Sequence, residues 1–197
     1  MPRKKKSIKP SCKPEPPQHR PYRVLESVHL AHEAWFTPRR DRVELPTGAI
    51  VPAWYVFEFP DWVNVIALTK DDKFVFISQY RHGLGASRYE LVAGCCEPGE
   101  TAEQSARREL LEETGYGGGR WEQFMVTSAN PSNHNNRVYT FLATGVEQLE
   151  EQHTEAGEDI EVHLFSREQV EALLADDEIM QCLHAAPLWK YMLRNPF

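Results

Sequence analysis

Residues 94–116 read Gly94-Cys95-Cys96-Glu97-Pro98-Gly99-Glu100-Thr101-Ala102-Glu103-Gln104-Ser105-Ala106-Arg107-Arg108-Glu109-Leu110-Leu111-Glu112-Glu113-Thr114-Gly115-Tyr116. Pro98-Gly99 is a turn signal, and Thr101 followed three residues later by Gln104 has the form of a capping box. From Thr101 to Thr114 most residues are good helix formers, and Gly115 stands where a helix stops. On that helix Glu109 lies three residues from Glu112 and four from Glu113, so the three carboxylates share a face. Carboxylates stacked this closely repel and raise each other's pKa unless a cation sits among them. Ala102, Ala106 and Leu110 form the opposing apolar stripe that would anchor the helix to a core. A solvated acidic face is the plain alternative. Against it, a structural helix would more often offset such glutamates with Lys or Arg one turn away. An all-oxygen donor set suits a hard cation, Mg²⁺ or Mn²⁺, better than zinc.

The spacing Gly-x5-Glu-x7-Arg-Glu-Leu-x-Glu-Glu-x-Gly-Tyr resembles the complete Nudix box, with no departure at a defining position. The resemblance implies an α/β fold: a Nudix α/β/α sandwich with a mixed central sheet, plus an N-terminal antiparallel sheet used in dimerisation. It also implies hydrolysis of a pyrophosphate joining a nucleoside to a second group. Glu109 and Glu113 would ligate Mg²⁺ (Mn²⁺ as a substitute), with Glu112 as a further ligand or orienting group and the backbone carbonyl of Ala93 as another donor. Arg108 and Glu100 would pair to hold the loop-helix-loop in shape, between the structural glycines Gly94 and Gly115.

Asp61–Leu68 and Phe74–Arg81 are apolar runs split by the turn Lys70-Asp71-Asp72, which is a hairpin pattern. Tyr89–Ala93 reads as a third strand entering the box. The ending Gln79-Tyr80-Arg81, the entry Glu90-Leu91-Val92-Ala93-Gly94 and Pro131, fifteen residues past the box, together resemble ADP-ribose pyrophosphatases and related nucleoside diphosphate sugar hydrolases. By that resemblance Arg81 would contact the substrate's phosphates or terminal ribose, and Glu90 would support the metal site. Where the family often has a glutamate about five residues after the proline, this chain has Asn136. Asparagine donates as well as accepts hydrogen bonds, whereas a carboxylate only accepts. That opens the specificity to other sugar nucleotides.

A second acidic stretch, Glu155-Ala156-Gly157-Glu158-Asp159, precedes the strand-like Ile160-Glu161-Val162. A carboxylate on such a loop could activate the attacking water. Glu158 is the first choice for general base or third metal ligand and Glu155 the second. Val138–Ala143 reads as a strand. Ser166-Arg167-Glu168-Gln169 is a capping box opening a helix through about Leu174. An amphipathic helix from about Ile179 to Leu193 carries Leu183, Leu188, Trp189 and Met192.

The chain has 197 residues and a formal net charge of −7. Three regions are expected: a basic, proline-rich arm at 1–21, an N-terminal β region at 22–60, and the Nudix domain at 61–197. Residues 1–23 carry eight Lys/Arg against one Glu, a balance of plus seven that leaves minus fourteen on the remainder. Nothing aromatic is interleaved in the arm to stack bases, so nucleic acid is not the expected partner. Tyr22–Leu30, Asp41–Pro46 and Ile50–Phe59 look like strands. In enzymes of the resembled group such a sheet is exchanged between subunits, so a homodimer is expected. Trp35 and Phe36, beside Arg39 and Arg40, are the candidates for base stacking and phosphate contact. No run is long and apolar enough for a membrane span or signal peptide. Cys12, Cys95, Cys96 and Cys182 lack zinc spacing, and reduced thiols fit a cytoplasmic setting. Two further readings stay open. One is a Nudix enzyme acting on nucleoside triphosphates, dinucleoside polyphosphates or capped RNA, and the other is a non-catalytic Nudix ligand sensor.

Overall fold

The computed structural model describes residues 14–15, 17–18, 20–33, 35–154, 157 and 159–196. The basic run of the arm (residues 1–13) and the two loop carboxylates Glu155 and Glu158 lie outside the described residues. Among the described residues eleven strands and three helices follow in chain order: β1 (Arg23–His29), β2 (Pro38–Glu44), β3 (Ile50–Phe57), β4 (Trp62–Thr69), β5 (Phe74–Arg81), β6 (Ala86–Glu90), β7 (Val92–Cys95), α1 (Ala102–Thr114), β8 (Tyr116–Gly117), β9 (Arg120–Thr127), β10 (Val138–Gln148), β11 (Ile160–Phe165), α2 (Arg167–Ala175) and α3 (Cys182–Arg194). Two compact units result: residues 1–59 with 128–136, and residues 60–127 with 137–197.

The second unit is the α/β sandwich. Its eight-stranded mixed sheet runs β11-β5-β4-β10-β8, with β6 on β5, β7 on β4 and β9 on β10. The β10–β4 pair is parallel and the other pairs are antiparallel. Period-two alternation sends Val63, Val65 and Ala67 of β4 to one face, where they pack with Ala106 and Leu110 of α1. Ile66 and Leu68 go to the other face, against Val170 and Leu174 of α2 and Leu188 and Met192 of α3. A sheet covered on both faces needs near-continuous apolar strands. That is why β4 and β5 read as unbroken hydrophobic runs.

Local chemistry sets the helix ends. Thr101 accepts a hydrogen bond from the Gln104 backbone, and the Gln104 side chain accepts one back from the Thr101 N–H at 2.8 Å. Such a box contributes about 1 kcal/mol. Gly115 closes α1 in the left-handed region at φ 71°, and a Cβ there would lie 2.2 Å from the Glu150 carbonyl oxygen, so only glycine fits. Ser166 and Gln169 repeat the box for α2. In α3, Pro187 removes the N–H that would bond the Leu183 carbonyl. The buried Asn64 side chain supplies the missing donor, at 2.8 Å. Ile179 is in the core but ahead of the helix, which begins three residues later than its periodicity suggests. No helix among the described residues is long and apolar enough to cross a membrane.

The first unit is a three-stranded antiparallel sheet, β1-β2-β3. The asparagine-rich segment 128–136 belongs with it. The Asn133 carbonyl accepts from the Phe57 N–H at 2.7 Å, the Ser132 carbonyl accepts from the Trp54 indole at 3.0 Å, and the Asn135 side chain accepts from the Phe59 N–H at 2.9 Å. These bonds tie the segment to the end of β3 and the residues that follow it.

Candidate active site

Strand β7 and helix α1 build the site. Glu113 is 3% exposed, and its carboxylate accepts from the Ala93 N–H at 3.3 Å. Glu109 packs directly over Gly94, where an added Cβ would lie 2.0 Å from Glu109 Oε1. An alanine at 94 would push that carboxylate aside, so the tight approach of α1 to β7 favours glycine there.

Arg108 organises the acidic groups around it. Its guanidinium donates to Glu100, to Glu109 at 2.9 Å, to Glu112 at 3.1 Å and to the Cys95 carbonyl at 3.1 Å. Burial of the guanidinium opposes its charge. The bond to Glu100 and the nearby Glu109 and Glu112 outweigh that, and the pKa rises above its ordinary value. The same bond from Arg108, helped by the Ser105 hydroxyl, holds the Glu100 carboxyl below its ordinary range. Three carboxylates, Glu100, Glu109 and Glu112, thus face one arginine, and the fourth, Glu113, is held by the Ala93 N–H. Uncompensated carboxylates in a partly buried setting repel by a few kcal/mol per close pair, on the order of 4. The imbalance marks Cys95 too. Burial, followed by the Glu109 charge, pushes its thiol up to about 11.

Glu112 departs from the simplest expectation for three glutamates on one face. It is half exposed and turned to Arg108. Among the described residues no three or more His, Cys, Asp or Glu side chains are gathered closely enough to cage a metal ion. The donors that β7 does position, the carboxylates of Glu109 and Glu113 beside the Ala93 backbone, are all oxygen in character and carry excess negative charge. They fit a hard divalent cation.

Glu90 and Arg81 lie on the same sheet. Glu90 is 2% exposed, and Arg81 grips it with Nε 2.9 Å from Oε1 and with its terminal nitrogen on Oε2. Glu90 stands opposite Ile77 in the β5–β6 register, and Ile77 packs in the core under α1. The pair therefore occupies the α1 side of the sheet. His184 of α3 is fully buried and accepts the Leu91 N–H through Nδ1 at 2.9 Å. Burial first, and then the Arg81 charge against the opposing pull of Glu90, lowers its pKa to about 4. Sequence reasoning missed this histidine, because nothing in a helix-periodic stretch says which side chain meets a strand N–H.

Trp35, Phe36, Arg39, Pro131 and Asn136 all fall in the first unit. Trp35 is 72% exposed, with φ 64°, in a tight turn closed by paired Glu33 and Phe36 bonds. Phe36 is half exposed, Pro131 is exposed, and Asn136 is buried. Arg39 is engaged by Asp41 at 2.9 Å and by Glu58, and Asp41 also takes the Ser27 hydroxyl. These bonds outweigh the burial of Asp41 and lower its pKa. Arg40 and Arg42, exposed and without an ion pair among the described residues, are the cations that β2 presents to solvent.

Comparisons with known proteins bear on the fold and the family. Residues 59–184 match the family model described as NUDIX domain. An ADP-ribose pyrophosphatase of Mycobacterium tuberculosis is 32% identical over 139 residues, covering 68% of this chain and 67% of that protein. A methanol dehydrogenase activator of Bacillus methanolicus is 36% identical over 110 residues, 56% of this chain and 59% of its own length. An ADP-ribose pyrophosphatase of Bacillus subtilis is 34% identical over 132 residues, 64% of this chain and 71% of its own. A crystal structure described as an ADP compounds hydrolase superposes with a TM-score of 0.75 at 18% identity, covering 90% of this chain and 97% of that one. The box, the sandwich that carries it and the family match converge, and the chain belongs to the NUDIX domain family.

Proposed function

We propose that the chain is a Nudix pyrophosphatase that hydrolyses the pyrophosphate of ADP-ribose or a related nucleoside diphosphate sugar, giving a nucleoside monophosphate and a sugar phosphate. The observation that carries this reading is the pairing of Glu109 and Glu113 with Gly94 and Ala93, organised by Arg108. The substrate class draws on two relatives described as ADP-ribose pyrophosphatases.

In this reading Glu109, Glu113, the Ala93 carbonyl and Glu112 would hold Mg²⁺. When bound, the cation offsets charge on the pyrophosphate and makes water a better nucleophile. Arg108 holds the Glu109 and Glu112 rotamers, and the Ala93 N–H holds Glu113, so the donors need little rearrangement. Glu158, or Glu155 in second place, is assigned as the base. It takes a proton from water as the water oxygen bonds to one phosphorus and the bridging P–O bond breaks, its electron pair leaving on the other phosphate. Arg81, fixed by Glu90, contacts the phosphates or the sugar. Trp35 and Phe36 stack on the base, with Arg39, Pro131 and Asn136 as further substrate contacts. A homodimer formed through residues 22–60 is part of the proposal. Its support is the apolar surface the small sheet leaves exposed at Val24, Val28, Ile50 and Tyr55. Light scattering of the full chain tests it, and a monomer at micromolar concentration would overturn it. Free thiols at Cys95, Cys96 and Cys182 accord with a cytoplasmic enzyme.

Phosphate release from ADP-ribose, other sugar nucleotides, NADH and nucleoside triphosphates, with and without Mg²⁺, tests the whole reading. ADP-ribose or another diphosphate sugar should head the ranking, and chelation should abolish turnover. Glu113→Gln should lower turnover by roughly 10³-fold or more while the circular dichroism spectrum stays unchanged. Full activity of that variant at saturating Mg²⁺ would sink the metal assignment.

A further inference from the structure

Next to the Arg81–Glu90 pair, a cavity of about 420 Å³ is lined by Arg81, Leu84, Arg88, Glu90, Met180 and Gln181, together with the turn at His82-Gly83. Its size falls within the range of small-molecule sites. Arg88 stands two residues before Glu90 on β6, opposite Gln79, so period-two geometry gives both residues the same face of the strand.

The polar groups in the cavity are unequally committed. Both Glu90 oxygens are taken by Arg81. Arg88 directs Nε at the Met180 sulfur, 3.0 Å away, and Nη1 at the adjacent Ser87 carbonyl, 2.9 Å away, and it forms no ion pair among the described residues. A thioether is a weak acceptor, so the Arg88 charge has no counterpart here. Gln181 is the N-cap of α3, yet its side chain makes no capping bond, which leaves its amide for a ligand. Leu84 and Met180 supply apolar wall.

We infer that this cavity receives the sugar half of the diphosphate substrate, and the sugar phosphate after cleavage, with Arg88 and Gln181 as specificity-determining residues. The inference rests on the hydrolytic reading above. Chain geometry permits it. Glu90 and Ala93 are three residues apart, so their Cα atoms are separated by at most about 11 Å, within reach of a sugar attached to a diphosphate. The donor set selects the ligand. Guanidinium and amide N–H groups suit ring hydroxyls and phosphate oxygens. A cationic or amine ligand finds no uncommitted carboxylate, and a purely apolar one would strip water from Arg88 without replacing its hydrogen bonds.

The test measures binding of ribose 5-phosphate, ribose and inorganic phosphate to the full chain by calorimetry, for the wild type, Arg88→Met and Gln181→Ala. Steady-state kinetics with ADP-ribose accompany it. Ribose 5-phosphate should bind the wild type, about tenfold more weakly to Arg88→Met and a few-fold more weakly to Gln181→Ala, the loss of a charged and a neutral hydrogen bond respectively. The KM for ADP-ribose should rise in parallel, with the effect on KM rather than kcat and with unchanged melting temperatures. Ribose 5-phosphate affinity indifferent to both substitutions overturns the inference. So does inorganic phosphate binding as tightly as ribose 5-phosphate, since the sugar would then contribute nothing. If ADP-ribose is cleaved with unchanged KM in both variants, the cavity assignment fails and the hydrolytic reading stands. If no diphosphate sugar is cleaved while Arg88→Met still loses ribose 5-phosphate, the hydrolytic reading fails and the sugar-phosphate site stands.

Discussion

The two units of this chain are held together by different physics. In the sandwich, β4 and β5 are buried on both faces, and α1, α2 and α3 close the layers with apolar side chains. In the small sheet, Pro38 and Val43 are the only apolar side chains buried among the described residues. Ion pairs take the place of a core there. Asp41 binds Ser27 and Arg39, Arg39 binds Glu58, and Glu58 binds His29 at 2.8 Å. A buried apolar side chain contributes about 1.5–3 kcal/mol, whereas a net hydrogen bond contributes about 1. The sandwich can therefore hold three carboxylates around Arg108, and Glu113 on the Ala93 N–H, without losing its shape. The small sheet has less in reserve, and it exposes Trp35, Phe36 and Tyr55. Rigid support accompanies the acidic cluster, and exposed aromatics accompany the small sheet.

The sharpest way to break this contrast is Gly94→Ala. The new methyl must displace the Glu109 carboxylate, the far end of a flexible side chain. Turnover should fall by about 10²-fold through misplacement, while the melting temperature moves little. A large loss of stability with intact kinetics would show that the helix–strand approach serves packing alone.

The next effect concerns His184. Its folded pKa, near 4, lies below the ordinary 6.5, so the unfolded chain takes up the proton first as pH falls. Stability should be flat above about pH 7 and decline between 6.5 and 4. A shift of that size corresponds to about 3 kcal/mol. His184→Asn keeps an acceptor for the Leu91 N–H and should remove much of this decline. Denaturant titrations at pH 7 and 4.5 measure it.

In the small unit, Asp41→Asn removes the charge that pairs Arg39 but keeps the shape. A loss of about 1 kcal/mol is expected, discounted because Arg39 is partly solvated. The Asp41 pKa is depressed, so its contribution is present above about pH 4 and lost as pH falls below it. A midpoint that is already pH-independent there would count against the network. Smallest on stability is Trp35→Ala. An exposed side chain in a positive-φ turn should contribute no more than about 0.5 kcal/mol, whereas the KM of a base-stacking residue should rise several-fold. Unchanged KM would remove Trp35 from the substrate site.

The sandwich was far more legible than the small unit. The apolar runs of β4 and β5, the capping boxes at Thr101 and Ser166 and the stop at Gly115 announced their elements, because each is a local signal. Strand β9, Arg120–Thr127, went unread. Its burial is partial, its polar residues fall between a glycine run and a loop, and its strand character comes from pairing with β10. Likewise nothing local says that residues 128–136 belong with β3, since those bonds join positions more than seventy residues apart. In the site, the identities of Glu109, Glu112 and Glu113 were visible. Their inequality was not, with Glu113 buried on the Ala93 N–H and Glu112 half exposed on Arg108. Arg88 drew no notice, because it becomes conspicuous only once the neighbouring Glu90 is seen to be held by Arg81.

The sequence by itself determined the loop-helix-loop, its charge and the donor chemistry, because capping, periodicity and i,i+4 spacing act within a few residues. Only the tertiary structure decided which carboxylate is buried, that a side chain at 94 would meet the Glu109 carboxylate, and that Arg81 is bound to Glu90 while Arg88 forms no ion pair among the described residues. Those outcomes depend on which strand lies under α1 and where α3 begins, and long-range packing sets both.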